Sequence, residues 1–340
     1  MTSLYPLVWV HLGKARVPSY LKTSMKNISE NFHGFPLILL VDHDKNLKNL
    51  GIKNVNVKKV SFLDKNWESI KRELNHDLTF RNEFWFNSLA RFKALDKFME
   101  NENLNALLHI ESDVSLMPNF PIERVKSLEN VMAYSLQSSG QGIASLLHVG
   151  SREVLKDFLF FCSKEVTARK NSTDMTILFR FLIERSHQVV ILPTLPINLD
   201  TVSLSEDKSM VKQSYENINM FGGVFDAISI GQYFFGIDPR NYRGRKKLFR
   251  EDLDHWVKPS QYEFKWVNDS LIATNSGGIQ YQVYSLHVHS KESKVFSLGS
   301  LKIEFRRRIK QSQSGERTEL VLREILKSLF SALVRRMGRA

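Results

Sequence analysis

Residues 107–114 of this chain read Leu107-Leu108-His109-Ile110-Glu111-Ser112-Asp113-Val114. The apolar half of this segment predicts a buried β-strand, and two carboxylates separated by one serine follow it. Side chains at i and i+2 of an extended chain point the same way, so Glu111 and Asp113 can face one pocket. Ligands of open α/β sheets bind at the carboxyl ends of the strands. Two carboxylates there suit Mg²⁺ or Mn²⁺, although an isolated pair is also typical of a solvated acidic turn.

The segment before this strand predicts a helix over residues 84–99. Apolar residues recur there at helical spacing, at Phe92, Leu95, Phe98 and Met99. Asn87 and Arg91 lie four residues apart and therefore share one face of the helix. If that face borders the pocket, Arg91 is suited to hold a phosphate or a nucleobase carbonyl. The alternative is an ordinary surface arginine.

The beginning of the chain predicts a β-α-β-β order. Short apolar runs at 7–12, 37–41 and 55–60 are typical of strands, and a helix from about residue 19 separates the first two. This order predicts an α/β fold with a mostly parallel sheet flanked by helices. Because the segment has neither G-x-G-x-x-G nor a P-loop, a classical dinucleotide or ATP site is not supported.

Further strands are predicted downstream of the acid pair, at 131–136 and 143–150, with a polar loop at 137–142 between them. A helix is predicted after 171–173, where Ser172 or Thr173 can cap it. Asp174 then lies in the first helical turn, a position that the helix dipole favours for any carboxylate. Asp174 is thus either a functional acid or an ordinary first-turn residue.

Two later segments combine aromatic or histidine residues with sparse polar groups. Residues 221–241 hold glycines, aromatics and the polar side chains of Asp226, Gln232 and Asp238, a mixture typical of sugar-binding sites. Ile237-Asp238-Pro239-Arg240-Asn241 predicts a turn, and residues 243–250 a basic loop. A strand is predicted over residues 281–289. Its alternation places His287 and His289 on one face, with Lys291 close to them, although most histidine pairs bind no metal.

The composition is that of an ordinary globular protein: 340 residues, 42% hydrophobic and 25% charged. The single cysteine, Cys162, excludes a disulfide within one chain and suits a core position better than a nucleophile. No segment has the roughly 18 apolar residues of a transmembrane helix, and the N-terminus lacks a signal-peptide pattern. We therefore expect a cytoplasmic protein.

The positive charge is concentrated at the C-terminus. The chain carries +12 overall, and residues 301–340 contain eleven Lys or Arg against four Glu, a net charge of +7. A basic amphipathic helix is predicted from about residue 316, with an apolar stripe between Leu322 and Met337. Such a helix can lie on the anionic inner face of a membrane, or pack on the domain or on a partner chain.

In combination, these segments resemble GT-A-type, nucleotide-sugar-dependent glycosyltransferases of bacterial type over roughly residues 5–295. The segments that carry the resemblance are the α/β opening, the Asn87/Arg91 helix, the D-x-D-like Glu111-Ser112-Asp113, the T-D-M-T-I-L sequence at 173–178, residues 225–241 and the late H-V-H-S-K sequence at 287–291. The resemblance implies a GT-A-like domain over 1–300, with a nucleotide-binding half at 1–117 and an acceptor half at 118–300, followed by the tail at 301–340.

The resemblance also implies a divalent metal, Mn²⁺ or Mg²⁺, and a nucleotide-sugar donor, with UDP as the favoured carrier. Asp113 is then the principal metal ligand, and Glu111 contacts the metal directly, through water, or contacts the ribose. His289 is the late metal ligand, with His287 as the alternative. The residues implied to bind the nucleotide or its phosphates are His11, Asp42, Arg91, Glu111 and Lys291.

For the transfer itself, the resemblance implies that Asp174 and Asp226 lie near donor sugar and acceptor, and that Gln232 and Asp238 contact the substrate. Breaking the bond from the anomeric carbon to the diphosphate develops negative charge that a cation neutralises. Inversion at that carbon needs a carboxylate base, for which Asp174 and Asp226 are the candidates, whereas retention does not. The implied acceptor is a hydroxyl of a glycan or a lipid-linked glycan in cell-surface polysaccharide synthesis.

Two other classes of function fit the sequence. The chain can be a non-catalytic relative that binds a nucleotide sugar or a glycan without turnover. A nucleic-acid-binding protein ranks last, because the excess charge lies mostly in the tail and the sequence contains no recognisable nucleic-acid-binding module. We therefore expect no nucleic-acid partner.

Overall fold

The computed structural model describes residues 4–47, 50–76, 79–81, 83–197, 199, 202, 205–238, 255–291 and 293–313. The elements of the first half are β1 (Leu7–His11), α1 (Ser19–Asn31), β2 (Leu37–Val41), β3 (Val55–Lys59), α2 (Lys65–Glu73), α3 (Phe84–Glu102), β4 (Leu107–Ile110), β5 (Val114–Leu116), α4 (Ile122–Lys126), β6 (Met132–Ser138) and β7 (Gln141–Val149). Those of the second half are α5 (Arg152–Ala168), α6 (Asp174–Glu184), β8 (Val189–Ile191), α7 (Ser205–Phe221), α8 (Ser229–Phe235), β9 (Glu263–Val267), β10 (Ser270–Thr274), β11 (Gln280–Val283), β12 (Ser285–His287) and α9 (Leu298–Gln313).

The central sheet has seven strands in the order β3-β2-β1-β4-β7-β6-β8. The pairs β2–β3, β1–β2, β1–β4 and β6–β8 are parallel, and β7 runs antiparallel to both β4 and β6. This topology confirms the predicted α/β class with a mixed, mostly parallel sheet flanked by helices. The carboxyl ends of β1, β4 and β6 consequently lie at one edge of the sheet.

Both faces of the sheet are covered, because alternate residues of its strands pack into two separate cores. Val8 and Leu40 join a core with α3, α5 and α6, whereas Trp9 and Leu39 join a second core with α1. All five residues of β2 are buried, as is typical of a parallel strand covered on both faces. The helix predicted from about residue 19 is confirmed as α1, which buries Leu21, Met25 and Ile28 on one face.

A two-stranded antiparallel sheet connects the acid pair to the end of the domain. β5 begins one residue after Asp113 and pairs with β12, so that His287 lies opposite Val114 and Leu286 opposite Ser115. A three-stranded antiparallel sheet, β11-β10-β9, adjoins it. This pairing fixes where the late histidines lie relative to the acid pair, although His287 follows Asp113 by 174 residues of sequence.

Two local predictions were wrong. The polar loop predicted at 137–142 is instead the end of β6 and the start of β7, joined by a tight turn with Gly140 at φ +76°. The single strand predicted over 281–289 is two strands, β11 and β12, in different sheets. Local alternation cannot distinguish one strand from two that change partner at Tyr284, because both have the same period.

The described part of the predicted tail packs against the rest of the fold. α9 crosses residue 300, and Leu301 and Phe305 are buried in a core that contains Phe234 and Phe264. The predicted amphipathic helix from residue 316, the basic loop at 243–250 and residues 239–241 lie outside the described residues. Within the described ranges, no helix is both long and apolar enough to cross a membrane.

Candidate functional site

A cleft of about 570 Å³ opens where the carboxyl ends of β1, β4 and β6 meet, the edge at which the sequence places the acid pair. The sheet supplies its floor through Val10, His109 and Ala144. α3, α6, α8 and the segment after β12 supply the walls. Of the predicted site residues, those that line the cleft are His11, Arg91, Glu111, Asp113, Asp174, Gln232, His287, His289 and Lys291.

Glu111, Asp113 and His287 form an acid–imidazole cluster in this cleft. One ligand atom from each residue lies within 4.8 Å of the others. The Nε2 atom of His287 is 3.4 Å from Asp113 Oδ1 and 3.7 Å from Glu111 Oε2. The predicted convergence of the two carboxylates is therefore present, and the histidine that joins them is His287.

The backbone fixes the orientation of His287. Its Nδ1–H donates to the carbonyl oxygen of Ala227 at 2.7 Å, which leaves Nε2 directed at the two carboxylates. Its backbone N–H donates to Asp226 Oδ2 at 3.0 Å. A histidine whose second nitrogen is held on a backbone carbonyl has the usual arrangement of a metal ligand.

Opposite charges stabilise one another in the cluster. Burial alone lowers the pKa of His287, but the negative charge and hydrogen bond of Asp113, aided by Glu111, raise that pKa to about 9. Burial raises the pKa of Asp113, yet Lys291 and His287 hold it well below its ordinary value. The carboxylates are thus ionised, and a protonated imidazole and an ammonium group balance them.

Lys291 and Asp238 extend the charge network along one wall. The Nζ atom of Lys291 lies 3.2 Å from Asp113 Oδ2 and 3.5 Å from Asp238 Oδ2. Arg81 Nη2 also contacts Asp238 Oδ2, at 3.0 Å. Asp238 is almost fully buried and does not line the cleft, so its carboxylate holds Arg81 and Lys291 in place.

Arg91 is a buried bridge and not a surface arginine, which excludes that alternative. It is 8% exposed, and its two terminal nitrogens donate to Glu111 and to Asp174 Oδ2, the second at 2.6 Å. α6 is capped by Thr173, one of the two predicted cap residues, and Asp174 is its first residue. Burial raises the pKa of Asp174 although Arg91 lowers it. Asp174 is therefore more basic than an exposed aspartate and lines the cleft.

Asp174 and Asp226 were both predicted to lie near the reacting centre. Asp174 lines the cleft, but Asp226 does not. Its Oδ1 accepts the backbone N–H of Ile230 at 2.9 Å, and its Oδ2 accepts those of Gly231 and His287 at 2.7 and 3.0 Å. The carboxylate therefore lies behind the wall and joins the start of α8 to β12. Its contacts are those of a residue that positions His287.

His289 lines the cleft but lies outside the acid–imidazole cluster. β12 ends at His287, so the strand period that placed both histidines on one face stops there. The Nδ1 atom of His289 accepts from Gln232 Nε2 at 3.3 Å and from the backbone N–H of Asp238 at 3.4 Å. Burial and the charge of His287 lower its pKa to about 4, so His289 is neutral. A ligand role for His289 stays a prediction.

His11 and Asp42 shape the loop after β1. The Nε2–H of His11 donates to the carbonyl oxygen of Ala15 at 2.9 Å, and Asp42 Oδ1 accepts the backbone N–H of Gly13 at 2.9 Å. Gly13 has φ +88°, a conformation that favours glycine. His11 borders the cleft, whereas Asp42 supports the loop from behind it.

Several cleft residues were not predicted. Arg81 and the aromatic side chains of Phe80, Phe84 and Trp85 also line the cleft. Arg81 has φ +51° and precedes the predicted helix over 84–99. The aromatic residues at 80, 84 and 85 were the available signal, and the start of a buried helix also explains them. His109 precedes Glu111 by two residues. Because side chains two residues apart on an extended chain share a face, the position of Glu111 identifies His109 as a cleft residue.

The cluster fits a divalent cation on its chemistry. Two carboxylates and one neutral imidazole nitrogen are common ligands of Mn²⁺, and hard oxygen ligands suit Mg²⁺. Deprotonation of His287 on binding releases the proton that now balances the carboxylates. Among the described residues, Glu111, Asp113 and His287 are the acidic and histidine side chains that lie close enough together to hold an ion.

No protein-family model and no curated protein matches the chain. Among solved structures, an active-site mutant of LgtC matches 55% of this chain and 72% of its own length, at 12% sequence identity and a TM-score of 0.37. A TM-score of this size is too low to support an argument about function. The functional argument therefore depends on the cleft.

Proposed function

We propose that this chain is a metal-dependent glycosyltransferase, which moves a sugar from a nucleoside-diphosphate sugar to an acceptor hydroxyl. The observation that carries the proposal is the acid–imidazole cluster of Glu111, Asp113 and His287, at the carboxyl-end edge of an α/β sheet. A buried carboxylate pair with an imidazole and a lysine beside it suits a metal-bound diphosphate. A bound Mn²⁺ or Mg²⁺ would stabilise the negative charge of the leaving diphosphate.

The residues of the chain have separate roles in this proposal. Asp113, Glu111 and His287 hold the cation, with His289 as a further candidate. Lys291, which now contacts Asp113 Oδ2, would compete with the cation for that carboxylate and would be available to bind the diphosphate. His11 and Arg91, both in the 1–117 half, border the nucleotide. Arg91 acts by holding Glu111 in position. Asp42 supports the loop that carries His11.

The acceptor is activated, in this proposal, by Asp174. It lines the cleft, and burial raises its pKa, which favours uptake of a proton from the attacking hydroxyl. Asp226 acts by positioning His287, and Asp238 by holding Arg81 and Lys291. Gln232, whose Oε1 has no donor among the described residues, contacts a sugar hydroxyl.

We further propose UDP as the carrier and a glycan or lipid-linked glycan of the cell surface as the acceptor. The tail at 316–340 then docks the enzyme at the cytoplasmic face of the membrane. Vesicles of anionic phosphatidylserine and phosphatidylcholine should pellet the full chain but not a 1–313 truncation. Equal pelleting of both proteins would exclude docking through this tail.

A donor panel tests the central proposal. UDP-, GDP-, CMP- and dTDP-sugars are added to the full chain with and without Mn²⁺, and the unfolding temperature is followed. We expect one nucleotide class to raise this temperature, and only when Mn²⁺ is present. A bound donor that is neither transferred nor hydrolysed would identify a non-catalytic binding protein. A flat response to every donor would refute the proposal.

A further inference from the structure

The floor of the cleft contains a histidine with one unused nitrogen. His109 is 1% exposed, and its Nδ1–H donates to the carbonyl oxygen of Val8 at 3.0 Å. This bond fixes the tautomer, so Nε2 carries a lone pair and no proton. Among the described residues no donor reaches Nε2, although the side chain lines the cleft. A buried acceptor of this kind costs free energy until a donor reaches it.

A second unused acceptor lies two strands away. The buried Oε1 atom of Gln137 also has no donor among the described residues, and Gln137 lines the same cleft. The β6–β7 register shifts between Leu136 and Ser138, so Gln137 lies at a bulge. Bulges near binding sites redirect a side chain at the expense of regular pairing. The backbone oxygen of Gln137 accepts from Trp256 N–H at 3.0 Å, which holds the bulge in place.

The two acceptors differ in chemistry from the wall that contains Lys291. Phosphate oxygens at neutral pH only accept hydrogen bonds, so they cannot satisfy His109 Nε2 or Gln137 Oε1. Hydroxyl and N–H groups can. A ligand that has phosphates at one end and hydroxyl groups at the other would match both parts of the cleft.

We infer that His109 Nε2 and Gln137 Oε1 form a hydrogen-bond-accepting subsite for neutral O–H or N–H groups of the substrate. The choice of nucleotide sugars as probes for this subsite rests on the proposed function. The subsite itself follows from the two acceptors and adds two specificity-determining residues to the cleft. The O–H or N–H groups that reach the two acceptors belong either to the transferred sugar or to the nucleoside, and the probes separate these two sources.

The test measures binding of UDP and of UDP-glucose in Mn²⁺ by calorimetry. His109→Phe keeps a ring and removes the acceptor, and Gln137→Leu removes the amide. We expect about a three- to tenfold loss of affinity for each variant, the worth of one neutral hydrogen bond. A loss for UDP-glucose alone assigns the subsite to sugar hydroxyls, and an equal loss for both ligands assigns it to the nucleoside. Unchanged affinity of both variants would overturn the inference.

Matched controls separate binding from folding. Gln188 also has an amide oxygen without a donor among the described residues, but it lies outside the cleft, so Gln188→Leu should leave affinity unchanged. His148→Phe removes a buried histidine from β7 next to β4 and should lower stability without changing affinity. If His109→Phe does not fold, Gln137→Leu decides.

A spectroscopic readout keeps this inference separate from the proposed function. The ¹⁵N resonance of His109 Nε2 is followed while glucose, galactose, N-acetylglucosamine or uridine is added to the full chain. A shift with any of these, in a protein that binds no nucleotide sugar, would support the subsite and refute the glycosyltransferase proposal. If neither these probes nor the nucleotide sugars shift Nε2, the subsite is refuted.

Discussion

Asp226 Oδ2 accepts the backbone N–H of His287 at 3.0 Å, across 61 residues of sequence. The same oxygen accepts the N–H of Gly231 at 2.7 Å, and Oδ1 accepts that of Ile230 at 2.9 Å. One buried carboxylate therefore fixes the strand that carries the imidazole of the acid–imidazole cluster. The sequence predicted this aspartate at the reacting centre, but its contacts position His287 instead.

Asp226→Asn tests this positioning role. An amide has only one oxygen, so its NH₂ group must face at least one backbone N–H donor. Loss of one such bond in a buried site costs about 1–3 kcal/mol of unfolding free energy. Displacement of His287 should also weaken Mn²⁺ binding by roughly 10- to 100-fold, as loss of an outer-shell partner does. Calorimetry with Mn²⁺ and urea unfolding measure both quantities.

Asp157→Asn is the matched control for Asp226→Asn. Asp157 is exposed on α5 and accepts a single bond from Gln188 Nε2, which an asparagine oxygen can also accept. Stability and Mn²⁺ affinity should both remain unchanged. If Asp226→Asn lowers stability but binds Mn²⁺ as the parent does, His287 is not positioned by Asp226.

Gly231→Ala should disturb the cluster from the opposite side. A Cβ atom on Gly231 would lie 1.9 Å from the carbonyl oxygen of His287, a distance that requires the backbone of α8 or β12 to shift. Because the obstructing atom belongs to the backbone and cannot rotate away, we expect a loss of about 3 kcal/mol in unfolding free energy, at the upper end of the range for overpacked core substitutions. Urea unfolding measures the loss.

Gly299→Ala provides the comparison for Gly231→Ala. Gly299 lies in α9 with nothing within 4 Å of an added Cβ atom. Alanine is favoured over glycine in helices by up to about 1 kcal/mol, so this variant should be as stable as the parent or slightly more stable. Equal effects of the two substitutions would contradict the close contact at His287.

The sequence predicted those features of the fold that local periodicity encodes. Continuous apolar runs identified β1, β2 and β4. Strand alternation predicted that Glu111 and Asp113 converge, but β4 ends at Ile110, so a turn between β4 and β5 brings the two carboxylates together. The sequence could not predict that His287, rather than His289, joins the acid pair. That outcome depends on the register in which β12 pairs with β5, and residues so distant in sequence leave no local pattern.

The part of the cleft around Arg81 was missed for a different physical reason. Arg81 and Glu83 have φ values of +51° and +64°, which non-glycine residues adopt rarely and only when tertiary contacts hold them there. The ion pairs Arg81–Asp238 and Lys71–Glu83 supply such contacts. Asp238 is far from Arg81 in sequence, and a loop separates Lys71 from Glu83. No spacing rule therefore identifies this segment as part of a site.

If the chain transfers sugars as proposed, Asp113→Asn should abolish transfer while the fold persists. The substitution removes the carboxylate that Lys291 and His287 both contact, and with it most of the affinity for the cation. We expect a loss of at least about 100-fold in transfer rate, the size associated with loss of a principal electrostatic group. Transfer assays at saturating Mn²⁺ and far-UV circular dichroism measure activity and fold.

The isosteric control for Asp113→Asn is Asp64→Asn. Asp64 caps α2 by accepting the backbone N–H of Trp67, and asparagine is an equally good cap. Its activity should equal that of the parent. Parent-like turnover by the Asp113 variant in excess Mn²⁺ would refute the assignment of the cation site.

His148 makes the stability of the domain dependent on pH. Its Nε2–H donates to the carbonyl oxygen of Leu128 at 2.7 Å, and its Nδ1 accepts from the hydroxyl of Tyr5 at 2.8 Å. Burial lowers the pKa of His148 from 6.5 to about 4, although the bond to Leu128 opposes this shift. Between these pH values the unfolded chain binds a proton that the folded chain does not.

The contribution of neutral His148 is therefore complete above about pH 6.5 and is lost as the pH falls toward 4. Its full size is about 3 kcal/mol of unfolding free energy. His148→Gln can keep both hydrogen bonds but does not titrate, so its stability should fall less steeply over this range. Urea unfolding of the two proteins from pH 7 to pH 4 measures the difference. Parallel stability curves would show that His148 titrates alike in the folded and unfolded states, which would contradict its burial in the neutral form.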